Sequence, residues 1–244
     1  MESWYYLLVN ASCILVPFLA TFHPKFPETK RFYKRLVFAI PGMMALFIPW
    51  DAIFTAQGVW AFNPNYVVGE YLAGLPLEEW LFFVCIPFAC LFTYECLRVF
   101  FPNLEAGTGT HRISLILGLL FTVVAVIFYD RAYTFWSHML CAVMLYLQAF
   151  VIRGPYMARY YLMYVMIFPA FIASNGVLTG LKFWKYPLVH SNPQLVTDQI
   201  VWYNNAENLG IRIFSVPMDD VSYGMLMLLL SITIFEGVKK KIPH

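Results

Sequence analysis

Charge is what this sequence has least of. Only 12% of its 244 residues are Asp, Glu, Lys or Arg, while 61% are hydrophobic. Soluble domains carry about a quarter charged residues, so a water-soluble globular fold is excluded and an integral membrane protein is expected. A formal net charge of +2 leaves no basic stripe and argues against a nucleic-acid partner. No G-x-G-x-x-G opens a helix after a strand: Gly107-Thr108-Gly109-Thr110 fails at the third glycine, so a nicotinamide or flavin domain is unsupported. His23, His111, His138, His190 and His244 make neither H-x-x-x-H nor H-E-x-x-H, and no metal is expected. Cys13, Cys85, Cys90, Cys96 and Cys141 lie in or beside apolar runs with no C-x-x-C, and read as small hydrophobes. The last apolar run has no lysine before Lys239 at its end, which excludes a retinal Schiff base in mid-membrane.

What the chain has is long apolar runs. A spanning helix needs about 20 mostly apolar residues, and seven such stretches follow, at roughly 3–22, 33–55, 76–99, 113–130, 132–152, 157–181 and 216–237. The fourth and fifth are parted only by Asp130-Arg131, and one helix over both would overrun a bilayer. The first run, Trp4 to Phe22, lacks a basic leading segment and a small-residue cleavage site, so a retained helix is expected. With the N-terminus outside, twelve of the 16 Lys and Arg residues fall on the inner side (Lys25, Lys30, Arg31, Lys34, Arg35, Arg98, Arg112, Arg153, Arg159, Lys239, Lys240, Lys241). Arg131, Lys182, Lys185 and Arg212 stay outside. That excess predicts an outer N-terminus and a cytoplasmic C-terminus.

Two acidic pairs follow prolines at helix starts: Pro76-Leu77-Glu78-Glu79 and Pro217-Met218-Asp219-Asp220. At this offset of 141 (217 − 76), Phe62-Asn63 falls on Tyr203-Asn204, Gly69 on Gly210, and Tyr94-Glu95 on Phe235-Glu236. Upstream, an offset of 124 pairs Asp51 with Asn175, Thr55 with Thr179 and Trp60 with Trp184, which puts an insertion after Trp184. Each helix of the second copy comes four helices after its counterpart, so the copies cross in the same direction. The expected architecture is all-α, with two parallel three-helix repeats (1–100 and 132–244) joined by a central helix (113–130) in one membrane domain, 1–244. Internal repeats in membrane proteins commonly hold the site between the copies.

An acid in the first turn after a proline also serves the helix dipole. Doubling at both places points further. Neighbouring helix positions lie about 100° apart, so one acid of each pair can face inward while the other meets headgroups or water. A carboxyl facing an apolar cavity has its charged form penalised and so can act as a proton donor, with a partner poised as base. Phe82, Phe83 and Tyr223 stand one turn below the acids, where aromatic faces can stabilise a cation. Asp51 in the second helix reads equally as a site residue or an internal hydrogen-bond partner. Glu95 with Arg98, and Glu236 with Lys239 and Lys240, read as intrahelical ion pairs. Trp60, Trp184 and Trp202 have the character of interfacial belt residues.

The string P-L-E-E-W-L-F-F, preceded by Trp50-Asp51 and Trp60-Ala61-Phe62-Asn63-Pro64, resembles the lycopene cyclase domain family. The second copy fits too, with Val177-Leu178-Thr179-Gly180, Trp202-Tyr203-Asn204, Leu209-Gly210-Ile211-Arg212 and Pro217-Met218-Asp219-Asp220. This is the membrane type found as two small subunits in some bacteria, fused in archaea, and joined to phytoene synthase in fungi. The second acidic pair is Asp-Asp where the family form is Glu-Asp. The resemblance implies a lycopene β-cyclase in the bacterial inner membrane, making γ-carotene and then β-carotene with no cofactor. Its implied catalytic residues are Glu78, Glu79, Asp219 and Asp220. Asp51, Trp60, Asn63, Phe82, Phe83, Asn175, Asn204 and Tyr223 would face the substrate. Besides lycopene and lipids, the implied partners are other carotenoid-pathway enzymes and a second copy of the chain. Outside that resemblance, intramembrane carboxylates equally suit a proton-coupled transporter or a small-molecule-binding membrane protein, and within carotenoid chemistry a hydratase or related cyclase.

Overall fold

The computed structural model describes residues 2–26 and 29–239. Apolar runs this long must satisfy their backbone groups internally in lipid, and they do so as helices. Among the described residues, seven helices are long and apolar enough to cross a membrane. They are α1 (Tyr5–Ala20), α2 (Thr29–Ala56), α3 (Leu77–Phe100), α4 (Thr108–Ile127), α5 (Ala132–Tyr146), α6 (Met157–Thr179) and α7 (Asp219–Lys239). A π-helical stretch, Leu147–Ile152, carries α5 on to the end of its span.

Two boundaries differ from those expected. α4 begins at Thr108 rather than near 113, because the Thr110 hydroxyl accepts the Gly107 N–H (3.2 Å) and caps a start that hydropathy does not register. It ends at Ile127, and the turn to α5 is held where Arg131 Nη1 donates to the Asn208 carbonyl (2.7 Å). α7 begins at Asp219, because Val216–Pro217 is drawn into a short strand before it.

α3 and α7 form the centre of the bundle. α1 packs on α3 and α5 packs on α7; α2 packs on α7 and α6 on α3; α4 lies outside, against α5. Aromatic side chains fill the middle, among them Phe47, Phe83, Tyr94, Tyr160 and Phe235.

At the acidic end, short strands connect the helices. β1 (Trp60–Phe62) follows α2, and the hairpin β2 (Tyr71–Leu72) and β3 (Leu75–Pro76) leads into α3. β4 is Val189–His190 and β5 is Val201–Tyr203, while β6 (Arg212–Ile213) and β7 (Val216–Pro217) form the hairpin before α7. The β2–β3 and β6–β7 hairpins lie 141 residues apart, as do β1 and β5. β1 and β5 pair antiparallel, with Trp60 opposite Tyr203, Ala61 opposite Trp202 and Phe62 opposite Val201. Ala61 thus faces the residue 141 positions on, and the ladder is symmetric about that pair. By this register Trp60 shares its place with Val201. Trp184, aligned with Trp60 at the offset of 124, sits exposed in a 3-10 turn. Trp60 itself is buried, so it is no belt residue; Trp184 and Trp202 are exposed.

The opposite end carries a buried ion network. Arg35, counted above among inner-side charges, is 1% exposed. Its guanidinium meets Glu95 Oε1 (2.7 Å) and Glu236 Oε1 (3.1 Å), donates from Nε to the Phe235 carbonyl (3.0 Å) and lies over the Phe235 ring. The Glu95–Arg98 ion pair is present at 2.8 Å. For Glu236, Lys240 and the Lys239 side chain lie outside the described residues.

Candidate functional site

All four acids of the two pairs are buried, so none of them meets headgroups or water as expected for the outer member of each pair. The two members differ in partners instead. Glu78 Oε1 accepts the Val68 N–H (2.6 Å), and Asp219 Oδ2 accepts the Leu209 N–H (3.1 Å), positions again 141 apart. Asp219 Oδ1 also accepts from Thr134 Oγ1 (2.6 Å). The first acid of each pair therefore fastens the preceding loop by meeting a backbone donor that would otherwise be orphaned.

The second acids, Glu79 and Asp220, line a cavity of about 270 Å³ between α1, α2, α3, α5, α6 and α7. The Tyr6 hydroxyl donates to Glu79 Oε2. In the other half the Tyr133 hydroxyl donates to Asp220 Oδ1 (2.6 Å). Asp51 and Asn175 complete the correspondence. Asp51 lines the cavity beside Glu79, within hydrogen-bonding reach of it, and Asn175 Nδ2 donates to Asp220 Oδ2 (3.3 Å). The strand pair adds one donor to each side: Trp60 Nε1 to Asp51 Oδ1 (2.6 Å) and Tyr203 Oη to Asp220 Oδ2 (3.3 Å).

Away from the carboxyls the cavity is apolar. On α3 its wall runs from Glu79 through Phe82, Ile86 and Cys90 to Thr93, about 21 Å of helix at 1.5 Å per residue. Tyr223 closes the carboxyl end from α7, 5.0 Å from the rings of both Phe47 and Trp50. Lower down, Gly224 leaves room beside Phe171.

Of the anticipated site residues, Glu79, Asp220, Asp51, Trp60, Phe82, Asn175 and Tyr223 meet at this cavity. Glu78 and Asp219 do not line it. Phe83 is fully buried against Phe47 on another side of α3. Asn63 and Asn204 are turn residues: the side-chain oxygen of each accepts the N–H two residues on, from Asn65 (3.0 Å) and Ala206 (3.1 Å). Sequence reasoning missed Tyr6 and Tyr133. Their one trace is a tyrosine recurring at a third offset, 127 (133 − 6), among dissimilar neighbours.

Just outside the spans, two loop groups bear on Asp220. The Tyr203 phenol is pushed above its ordinary range by burial and by the nearby Asp220 carboxyl, so it stays a donor. The guanidinium of Arg212 is pushed below its usual value by burial and back up by Asp220. It is held by the Ser215 carbonyl and by Asn205 Oδ1 (2.9 Å).

A family model described as Lycopene cyclase matches residues 3–97 and 130–238, and the interval it skips contains α4. Among curated proteins, the bifunctional lycopene cyclase/phytoene synthase of Neurospora crassa is 46% identical over 37 residues. That match spans 15% of this chain and only 6% of the fungal protein's length. No solved structure matches.

Proposed function

The chain belongs to the lycopene cyclase family, and on that premise we propose that it closes β-ionone rings on the ψ end groups of lycopene. γ-Carotene forms first and β-carotene second. A carboxyl at the cavity adds a proton to the terminal double bond. The tertiary cation is attacked by the next-nearest double bond, and loss of a proton from the new ring restores an alkene. Nothing is oxidised or reduced overall, so the reaction asks for an acid, a base, exclusion of water and a lining that does not trap the cation.

The observation that carries this reading is the cavity itself: two carboxyl-bearing sites at one end of an apolar slot, ringed by Trp60, Phe82, Tyr203 and Tyr223. Aromatic faces stabilise a cation without taking its proton. A linear polyene, soluble only in a bilayer, can lie along α3 with its end group against Glu79 and Asp220. On the same reading the chain is two three-helix units, 1–100 and 132–244, joined by α4. The paired loop bonds at Glu78 and Asp219 support that division. The acidic end then faces outward and the C-terminus lies in the cytoplasm.

Pigment tests the proposal. Cells that accumulate lycopene should turn from red to orange or yellow on expressing this chain, with γ- and β-carotene resolved by chromatography. A transporter or a binding protein would leave the pigment red, and a hydratase would give hydroxylated products.

A further inference from the structure

The two halves of the cavity match in backbone and in hydroxyl donors, but not in charge. Beside Glu79 stands a second carboxyl, Asp51, whose Oδ1 accepts from Trp60 and whose Oδ2, with the Thr55 hydroxyl near, has no hydrogen-bond donor among the described residues. Beside Asp220, at the corresponding place, stands an amide, Asn175, which donates. The loops repeat the contrast. Arg212 is buried within electrostatic reach of Asp220, whereas the residue 141 positions earlier, Tyr71, is exposed.

Counting donors and acceptors turns this into chemistry. Ionised carboxylates only accept, so two of them in contact hold together only with a proton on one. Asp51 and Glu79 share one dry end of the cavity, with Asp51 Oδ2 unpartnered, so a hydrogen bond between them requires a shared proton, and that half of the site is the one able to be loaded. Among the described residues Asp220 has no carboxyl in hydrogen-bonding reach; Asp219 acts on it only through its charge. It accepts from Tyr133, Asn175 and Tyr203 and has a guanidinium nearby, which is the surrounding of a carboxylate without a proton.

We infer that Asp51 and Asn175 are positioning residues that make the site one-directional, with Glu79 as the proton donor and Asp220 as the proton acceptor. This rests on the cyclase reading. In the reaction the Asp51–Glu79 pair gives its proton to the terminal double bond, forming a C–H bond. Ring closure forms a carbon–carbon bond from the second double bond, and Asp220 takes the proton lost from the ring. The pair is then one proton short and Asp220 one proton richer. Both carboxyls face the same cavity and sense each other electrostatically, so the proton returns to the pair once the product leaves. No co-reactant is required.

The first experiment needs no substrate. Infrared spectra of the full chain in lipid vesicles are compared with those of E79Q, D51N and D220N. The carbonyl stretch of a protonated carboxylic acid is expected to be lost in E79Q and in D51N and kept in D220N. Loss in D220N, or persistence in E79Q or D51N, overturns the assignment. The second experiment moves the extra carboxyl across the site. D51N and N175D are each expected to cut lycopene conversion about 100-fold or more, the scale of a lost general acid or base. The double variant D51N/N175D is expected to convert at least tenfold faster than either single variant, with the roles of Glu79 and Asp220 exchanged. A double variant no faster than D51N, present in the membrane in wild-type amount, overturns the directional role of residues 51 and 175. If the spectra behave as expected but no variant and no wild-type protein changes the pigment, the proton assignment stands and the cyclase reading fails.

Discussion

Tyr6 and Tyr133 do the same work in the two halves of the bundle: each, from the first turn of a helix, donates its hydroxyl to the second acid of a pair, Glu79 or Asp220. A polar side chain from another helix, Asp51 or Asn175, approaches the same carboxyl. A hydrogen bond to a charged group contributes about 1.5–3 kcal/mol. Tyr133→Phe should therefore slow lycopene conversion by roughly tenfold or more, read as the initial rate in vesicles loaded with lycopene, while protein yield in the membrane stays at the wild-type level.

The two members of each acidic pair should separate by substitution. Glu79→Gln and Asp220→Asn are expected to reduce conversion by about 100-fold or more. Glu78→Gln and Asp219→Asn keep an oxygen for the Val68 and Leu209 N–H groups and should retain most activity. Replacing either by alanine leaves a part-buried N–H without its acceptor and should cost about 1 kcal/mol of stability, measured as unfolding in detergent. Equal losses for all four amide variants would contradict this division.

Space in the slot can be tested at Gly224. A Cβ there would meet Phe171 at 3.4 Å, an ordinary contact, so Gly224→Ala should remain active. Gly224→Leu projects into the cavity and should block conversion while leaving the unfolding temperature near that of the wild type. Chromatography of pigment from the two variants distinguishes them.

Arg35 is an interior test remote from the cavity. Removing a guanidinium that is 1% exposed takes from Glu95 and Glu236 the buried cation that both of them meet. Breaking such a pair costs about 3–5 kcal/mol, so Arg35→Met should lower the thermal midpoint in detergent sharply. Glu95 retains Arg98, which keeps the loss below complete unfolding in the cold.

Tyr203 yields a pH prediction. Its phenol ionises at higher pH in the folded chain than in the unfolded one, because of burial first and the Asp220 carboxyl second. Below the unfolded value of about 10 both states hold the proton. Above it the unfolded state releases the proton first, so stability falls as pH rises. The thermal midpoint should decline above about pH 10, and Tyr203→Phe should flatten that decline.

Much of this was readable from the residue order. Hydropathy places the seven spans within a few residues, because lipid leaves an apolar run little choice but a helix. The offset of 141 anticipates that the loops at the acidic end match, though the all-α expectation left out the short strands and hairpins they contain. What the order of residues could not convey is direction around a helix. Whether Glu78 or Glu79 faces the cavity depends on how α3 sits against α1 and α6, and Phe83 points away from the cavity for the same reason. Arg35 reads as an interfacial charge because its partners, Glu95 and Glu236, lie 60 and 201 residues further on. Asn63 and Asn204 look like site residues because they recur, yet they recur to make the same turn.

The β1–β5 ladder has a consequence for synthesis. While the first three helices are being made, Trp60–Phe62 has no partner, and the strand that pairs with it emerges about 140 residues later. During that interval the wall opposite Trp60 and Asp51 has not been built. The carboxyls of the first half must therefore wait in an open, wettable cleft. The dry slot closes only when the last helix enters the membrane, which makes the order of insertion a timer on when the enzyme can first exclude water.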